Sequence, residues 1–147
     1  MCSSDLGLLA LMLHSEARRS ARRALGGRYV PLSEQDPNQW SLPLMEEAER
    51  HLAEASKRGS SRRFQLEAAI QSVHAERAHT GRTDWTAIAL FYEQLVGISS
   101  ALGTRVGYAA AIAEAEGPEA GLAVLDPIAP DAVSHYQPYW EIGRAHV

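Results

Sequence analysis

Apolar residues return along this chain every three to four positions, the period of a helix buried on one face. Leu9, Leu13, Ala17, Ala21 and Ala24 predict a first helix from about Leu8 to Leu25, stopped by Gly26-Gly27. Arg28 to Gln35 reads as a loop. Asp36-Pro37-Asn38-Gln39 then supplies an acidic N-cap, proline at N1 and glutamine at N3. The helix opened there carries Trp40, Leu44, Met45, Ala48 and Leu52 and ends near Gly59, with Pro43 kinking it or splitting off its first turn. Ser60 or Ser61 is expected to cap a third helix with the stripe Leu66, Ala69, Ile70 and Val73, and Thr83 a fourth. The fourth presents Trp85, Ile88, Ala89, Tyr92, Leu95 and Val96, and a loose connection over 97–103 leads to a fifth, Thr104 to Glu116. Gly117-Pro118 turns into a sixth running through Leu125, and Tyr136, Tyr139 and Trp140 imply a further packed helix. No alternating β-branched run of strand length interrupts this order, so the expected class is all-α, with antiparallel helical hairpins because the connections are short. Trp40, Leu66, Ile70, Trp85, Ile88 and Tyr92 are the expected structural core, Trp85 filling the space between the fourth and fifth helices.

Helix pairs of this size raise the question of a solenoid repeat. Trp85-x2-Ile88-Ala89-x2-Tyr92 resembles the first-helix signature of a tetratricopeptide repeat, with Ile for Leu and Ala for Gly. Ala109, Ala110 and Ala113 offer small positions for a partner helix, and Pro118 ends the pair. A generic helical hairpin is the competing reading.

Composition narrows the function classes. A chain of 147 residues with 46% hydrophobic and 22% charged residues is one domain's worth and can bury a core. A net charge of -4 argues against a general electrostatic grip on nucleic acid or an anionic membrane. Lys57 is the only lysine against thirteen arginines, a bias expected of a GC-rich bacterial genome. The apolar stretch Leu8 to Leu13 is far shorter than the roughly 20 residues of a membrane span, and no basic segment precedes it as in a secretory leader. A cytoplasmic protein is expected. Cys2, the single cysteine, excludes an internal disulfide and a multi-thiolate zinc site.

Candidate chemistry is sparse. His74 and His79 are five apart, not the four that put two ligands on one helical face, and His51 with Glu47 lacks a third ligand. Glu46, Glu47 and Glu49, like Glu114 and Glu116, read as ordinary helix-surface charge. Ser60 and Ser61 have no evident base. No catalytic constellation converges, so neither an enzyme nor a bound cofactor or metal is expected. Arg18, Arg19, Arg22 and Arg23 form a basic ridge on the predicted first helix, suited to phosphate or an acidic partner protein, or merely solvated. Arg58, Arg62 and Arg63 make a smaller cluster, and aromatics interleave with neither.

Both ends read as foreign. The DNA word ATC GGA AGA GC encodes Ile142, Gly143, Arg144 and the start of Ala145, and its reverse complement gives the end of Cys2, then Ser3, Ser4 and Asp5. Residues 1–6 and 141–147 are therefore expected to be translated sequencing adapter, with 7–140 as the native, truncated segment.

Several stretches carry a wider likeness. Gly7-Leu-Leu-Ala-Leu-Met-Leu-His14 with the arginines after it, Val30-Pro-Leu-Ser-Glu-Gln-Asp36 ending at Trp40, Phe64-Gln-Leu-Glu-Ala-Ala-Ile70 with His74-Ala75-Glu76, Thr83-Asp84-Trp85, and Glu116-Gly-Pro-Glu-Ala-Gly-Leu122 span nearly all of 7–140. Together they resemble the C-terminal extension of one group of extracytoplasmic-function RNA polymerase sigma factors. The resemblance implies a helical, tetratricopeptide-like domain that follows the DNA- and polymerase-contacting sigma domains, which this chain lacks. It implies a non-catalytic regulatory role in transcription initiation, with RNA polymerase, the protein's own sigma domains or a regulatory protein as partner, and no direct DNA binding by this segment. Gly107-Tyr108 stands where the family pattern has an Asn-Arg pair. A free-standing tetratricopeptide-like scaffold unrelated to transcription is the alternative.

Overall fold

The computed structural model describes residues 2–59, 62–128 and 130–136. Its α-helices are α1 (Ser3–Ala17), α2 (Leu42–Arg58), α3 (Arg62–Ala75), α4 (Arg77–Thr80), α5 (Trp85–Ile98), α6 (Leu102–Glu116), α7 (Pro118–Leu125) and α8 (Pro130–Val133). Single 3-10 turns occur at Arg19–Arg22, Leu32–Glu34 and Pro37–Gln39. Among the described residues there is no β-strand, only an isolated bridge between Arg23 and Tyr29, and the fold class is all-α. The chain divides into two compact units, Met1–Thr83 and Asp84–Val147.

In the first unit, α1 packs on both α2 and α3. The first helix is shorter than its leucine pattern predicts. The carbonyl of Ala17 accepts the Ser41 N–H at 2.9 Å, while the Ala21 N–H turns to Arg18 O, so the i to i+4 ladder ends there. Leu25, expected inside the helix, is fully exposed in the turn beyond it. The buried stripe of α1 is Leu6, Ala10, His14 and Ala17 rather than the Leu9–Leu13 line. Helix α1 begins within the segment read as adapter, at Ser3, and Leu6 is buried. Asp36 does cap a helix start, accepting from the Asn38 N–H, but what it opens is a single 3-10 turn. Pro43 lies in the first turn of a separate α2, consistent with its missing N–H. Ser60 and Ser61, the expected caps of α3, fall outside the described residues, as do Tyr139, Trp140 and the 141–147 tail.

In the second unit, Asp84 rather than Thr83 caps α5, its carboxylate accepting the Ala87 N–H at 3.0 Å. The loose connection shrinks to residues 99–101, because α5 runs to Ile98 and α6 begins at Leu102. Glycines set the helix contacts. A Cβ on Gly107 would lie 2.7 Å from the Tyr92 ring, and one on Gly121 would lie 2.5 Å from the Ala113 Cβ and 2.8 Å from Ala109 O. Residues 92 and 107 flank the 99–101 turn, and 113 and 121 flank Gly117, so each pair folds back on itself as an antiparallel hairpin. Ala109 and Ala113 thus receive α7, while α5 is received at Gly107.

Of the expected core, Trp40, Ile70 and Ile88 are buried. Leu66, Trp85 and Tyr92 are only half-buried. Trp85 is the first residue of α5, with no helical turn ahead of it to cover the indole. Tyr92 lies over Gly107, which has no side chain to enclose it.

Gly97, also in α5, has nothing within 4 Å of where its Cβ would stand. Gly97→Ala should therefore raise stability by up to about 1 kcal/mol through helix propensity. Gly121→Ala should instead lower it by about 1–3 kcal/mol, because the obstruction includes backbone. Thermal melts of the two variants, followed by circular dichroism, should move in opposite directions.

Candidate functional site

The first unit is organised around one guanidinium. Arg77, the opening residue of α4, donates to the carbonyls of Ser33 (3.1 Å), Leu32 (2.9 Å) and Gln35 (2.6 Å). Its face lies 5.0 Å from the Trp40 ring centre, within cation–π range. The Trp40 indole N–H donates to Gln35 Oε1 at 3.2 Å, and Gln35 Nε2 donates to Val30 O at 3.0 Å. The loop from Val30 to Trp40 is thereby tied to α4 without a carboxylate. Trp40 sits in a core with Ala17, Ala21, Met45 and Ala75.

Two polar surfaces flank that core. On one side an open cleft of about 190 Å³ has a floor of Leu42, Met45 and Ala75 and a rim of Glu46, Glu49, Glu76 and His79. Behind the rim, the almost fully buried His14 places Nε2 3.1 Å from Glu49 Oε1. Contact with the His14 imidazole, assisted by Ser72, holds the Glu49 carboxyl below its ordinary range against the opposing effect of burial.

On the other side lie arginines, but not the predicted ridge. Because α1 stops at Ala17, the four expected arginines fall on a 3-10 turn and its flanks, and Arg19, Arg22 and Arg23 find different partners. Arg19 is exposed and pairs with Glu16 at 3.2 Å. Arg23 donates to Gly27 O at 2.8 Å, and Arg22 donates to the Ser15 carbonyl and, at 3.0 Å, to the Ser15 hydroxyl. Arg18 turns inward and is half-buried. Burial first, then the charges of Arg22 and Arg77, pushes its guanidinium down to about 10. His74, between these groups and the core, is held at about 4, first by burial and then by Arg18 and Arg77.

The remaining candidates stay apart. His51 lies 3.6 Å from Glu47 as its spacing predicts, and among the described residues no group of three or more His, Cys, Asp or Glu is placed to hold a metal ion. Arg58 pairs with Glu54 at 3.0 Å and Arg63 with Glu67 at 3.4 Å, each within its own helix. No described helix is long and apolar enough to cross a membrane.

Comparison with known proteins adds a likeness without an activity. Residues 2–56, from α1 to near the end of α2, match the model of a family of unknown function (DUF6596). An uncharacterized protein of Rhizobium meliloti (strain 1021) is 34% identical over 123 residues, which is 84% of this chain and 29% of that protein. The chain thus spans less than a third of this relative's length. No solved structure matches.

Two outcomes follow from this wiring. Lysine carries a point charge and cannot reproduce the planar fork that reaches three carbonyls, so Arg77→Lys should cost about 2–3 kcal/mol. Urea unfolding of both chains measures it. For His74 the folded value lies below the unfolded value of 6.5, so protons bind the unfolded chain first. Stability should therefore fall as pH drops from about 6.5 through about 4, by about 3 kcal/mol in all. Glu49, a depressed carboxyl, adds its own loss only below the ordinary glutamate range. Melting temperatures across this range should show His74→Gln flattening the upper part of the slope.

Proposed function

We propose that this chain is a non-catalytic protein-interaction domain from the C-terminal part of an extracytoplasmic-function RNA polymerase sigma factor. Its native segment is 7–140, and the sigma domains that contact DNA lie upstream in the same reading frame. The observation that carries the reading is where the resembling stretches meet. Gly7 of the first stretch lets α1 approach the α3 backbone at Phe64 and Gln65 of the third, with a would-be Cβ only 3.1 Å from Gln65 N. Val30, Gln35 and Trp40 of the second form the hydrogen-bonded loop held by Arg77, directly after His74-Ala75-Glu76. Asp84 caps α5, and Gly121 seats α7 on α6. Residues that carry the resemblance are those on which helix contacts depend, as expected if the chain shares that family's fold. The relative of which this chain matches 29% accords with a segment of a longer protein.

Partner chemistry follows from the cleft and the arginines: polymerase, the protein's own sigma domains or a regulatory protein would meet surfaces of opposite charge. The upstream reading frame in the source genome should encode sigma domains. Those domains, purified alone, should bind this chain reversibly in calorimetry. A reading frame without sigma domains would favour the free-standing scaffold and overturn the proposal.

A further inference from the structure

Three half-buried arginines gather near the end of α1, and among the described residues no carboxylate pairs with any of them. The Ser15 carbonyl accepts from both Arg18 N–H and the Arg22 side chain, which fixes Arg22 beside Arg18. The Ala17 carbonyl is bonded by Ser41 N–H, next to Trp40, and Arg77 stacks on the Trp40 ring. Arg18, Arg22 and Arg77 are all half-buried. Arg22 and Arg77 are held by neutral oxygens, which orient a guanidinium but leave its charge in place. Among the described residues the Arg18 side chain makes no hydrogen bond and no ion pair, and Arg77 Nε is a buried donor without a partner. The nearby carboxylates are engaged elsewhere, Glu16 with Arg19 and Glu34 with Arg28.

Clustering partly buried cations without counter-charge is costly, and the usual relief is an anion. A guanidinium fork suits a flat or tetrahedral oxyanion, and three such charges call for more than one negative charge in return. His74 stays neutral beside them and contributes a hydrogen-bonding ring rather than a fourth positive charge. We propose that Arg18, Arg22 and Arg77 form a binding site for a compact dianionic oxyanion of the phosphate type. The inference is independent of the sigma-factor reading. It replaces the four-arginine ridge with a set that only the fold assembles, since Arg77 comes from a different helix.

The test is thermal melting of the full 147-residue chain in slightly alkaline buffer. Inorganic phosphate is titrated against sodium chloride and sodium acetate at matched ionic strength. Phosphate should raise the melting temperature saturably, and the other two salts should not. Arg18→Gln removes an unrelieved charge, so this variant should melt no lower than the parent without phosphate. Its half-saturating phosphate concentration should rise by about tenfold or more, as expected for losing a charge-assisted contact. Arg19→Gln, with the same change in net charge at an exposed site, should respond like the parent. Chloride or acetate matching phosphate, an undiminished response in Arg18→Gln, loss of the response in Arg19→Gln, or failure of Arg18→Gln to fold would each overturn the proposal.

Discussion

The first unit depends on the Arg77 guanidinium. A loop of this length would leave the carbonyls of Leu32, Ser33 and Gln35 to water, or bury them at a cost of about 1–3 kcal/mol each if unpaired. One planar fork answers all three, and its face also closes one side of the Trp40 indole. Trp40 can then be buried with its polar edge satisfied by Gln35, which itself reaches back to Val30. The core of Ala17, Ala21, Met45 and Ala75 closes around that ring. Small alanines suffice there because the indole supplies most of the volume.

The second unit answers a different constraint, how near two helix axes can come. Tyr92 occupies the space that any side chain at 107 would need, and Gly121 lets α7 meet Ala109 and Ala113 at backbone distance. The departure from the sigma-factor pattern at Gly107-Tyr108 has a physical reading here. An asparagine at 107 would have to displace the Tyr92 ring, so the two residues form one packing solution. Tyr108, beside it, has its phenol pushed up by burial and then by the charges of Glu93 and Glu116.

How much of this was legible in the sequence follows from what each signal measures. The body of helix α2 was readable because its apolar and charged residues segregate cleanly, but its start was not. The Asp36-Pro37 cap that looked like its opening belongs to a separate 3-10 turn, and Pro43, read as a kink or a split-off turn, lies in the first turn of the true helix. The face of α1 was not, since nearly every residue from Leu6 to Leu13 is apolar and several stripes fit equally well. Its end was hidden for another reason. Ala17 O is claimed by Ser41 N–H, a backbone contact with no residue-type signature. The candidate site suffered most from this. Arg77 binds carbonyls 42 to 45 residues away, and carbonyls are present at every position, so no pattern of residue types reveals the pairing. His14 left a faint trace, spaced four after Ala10 and three before Ala17 on what proves to be the buried stripe.

The charge arrangement of the first unit follows from a few residues at the junction of α3 and α4. His74 and Arg77, three apart, face the arginine cluster, whereas Ala75, Glu76 and His79 line the acidic cleft. Helical periodicity therefore sorts one short segment into two surfaces of opposite sign, separated by the Met45–Ala75–Trp40 core. Met45 and Ala75 belong to both that core and the cleft floor, and Arg77 belongs to both the core and the cluster. An occupant of either surface would thus press on the side chains that hold Trp40. Any binding on this unit would therefore be coupled to the packing that holds Trp40.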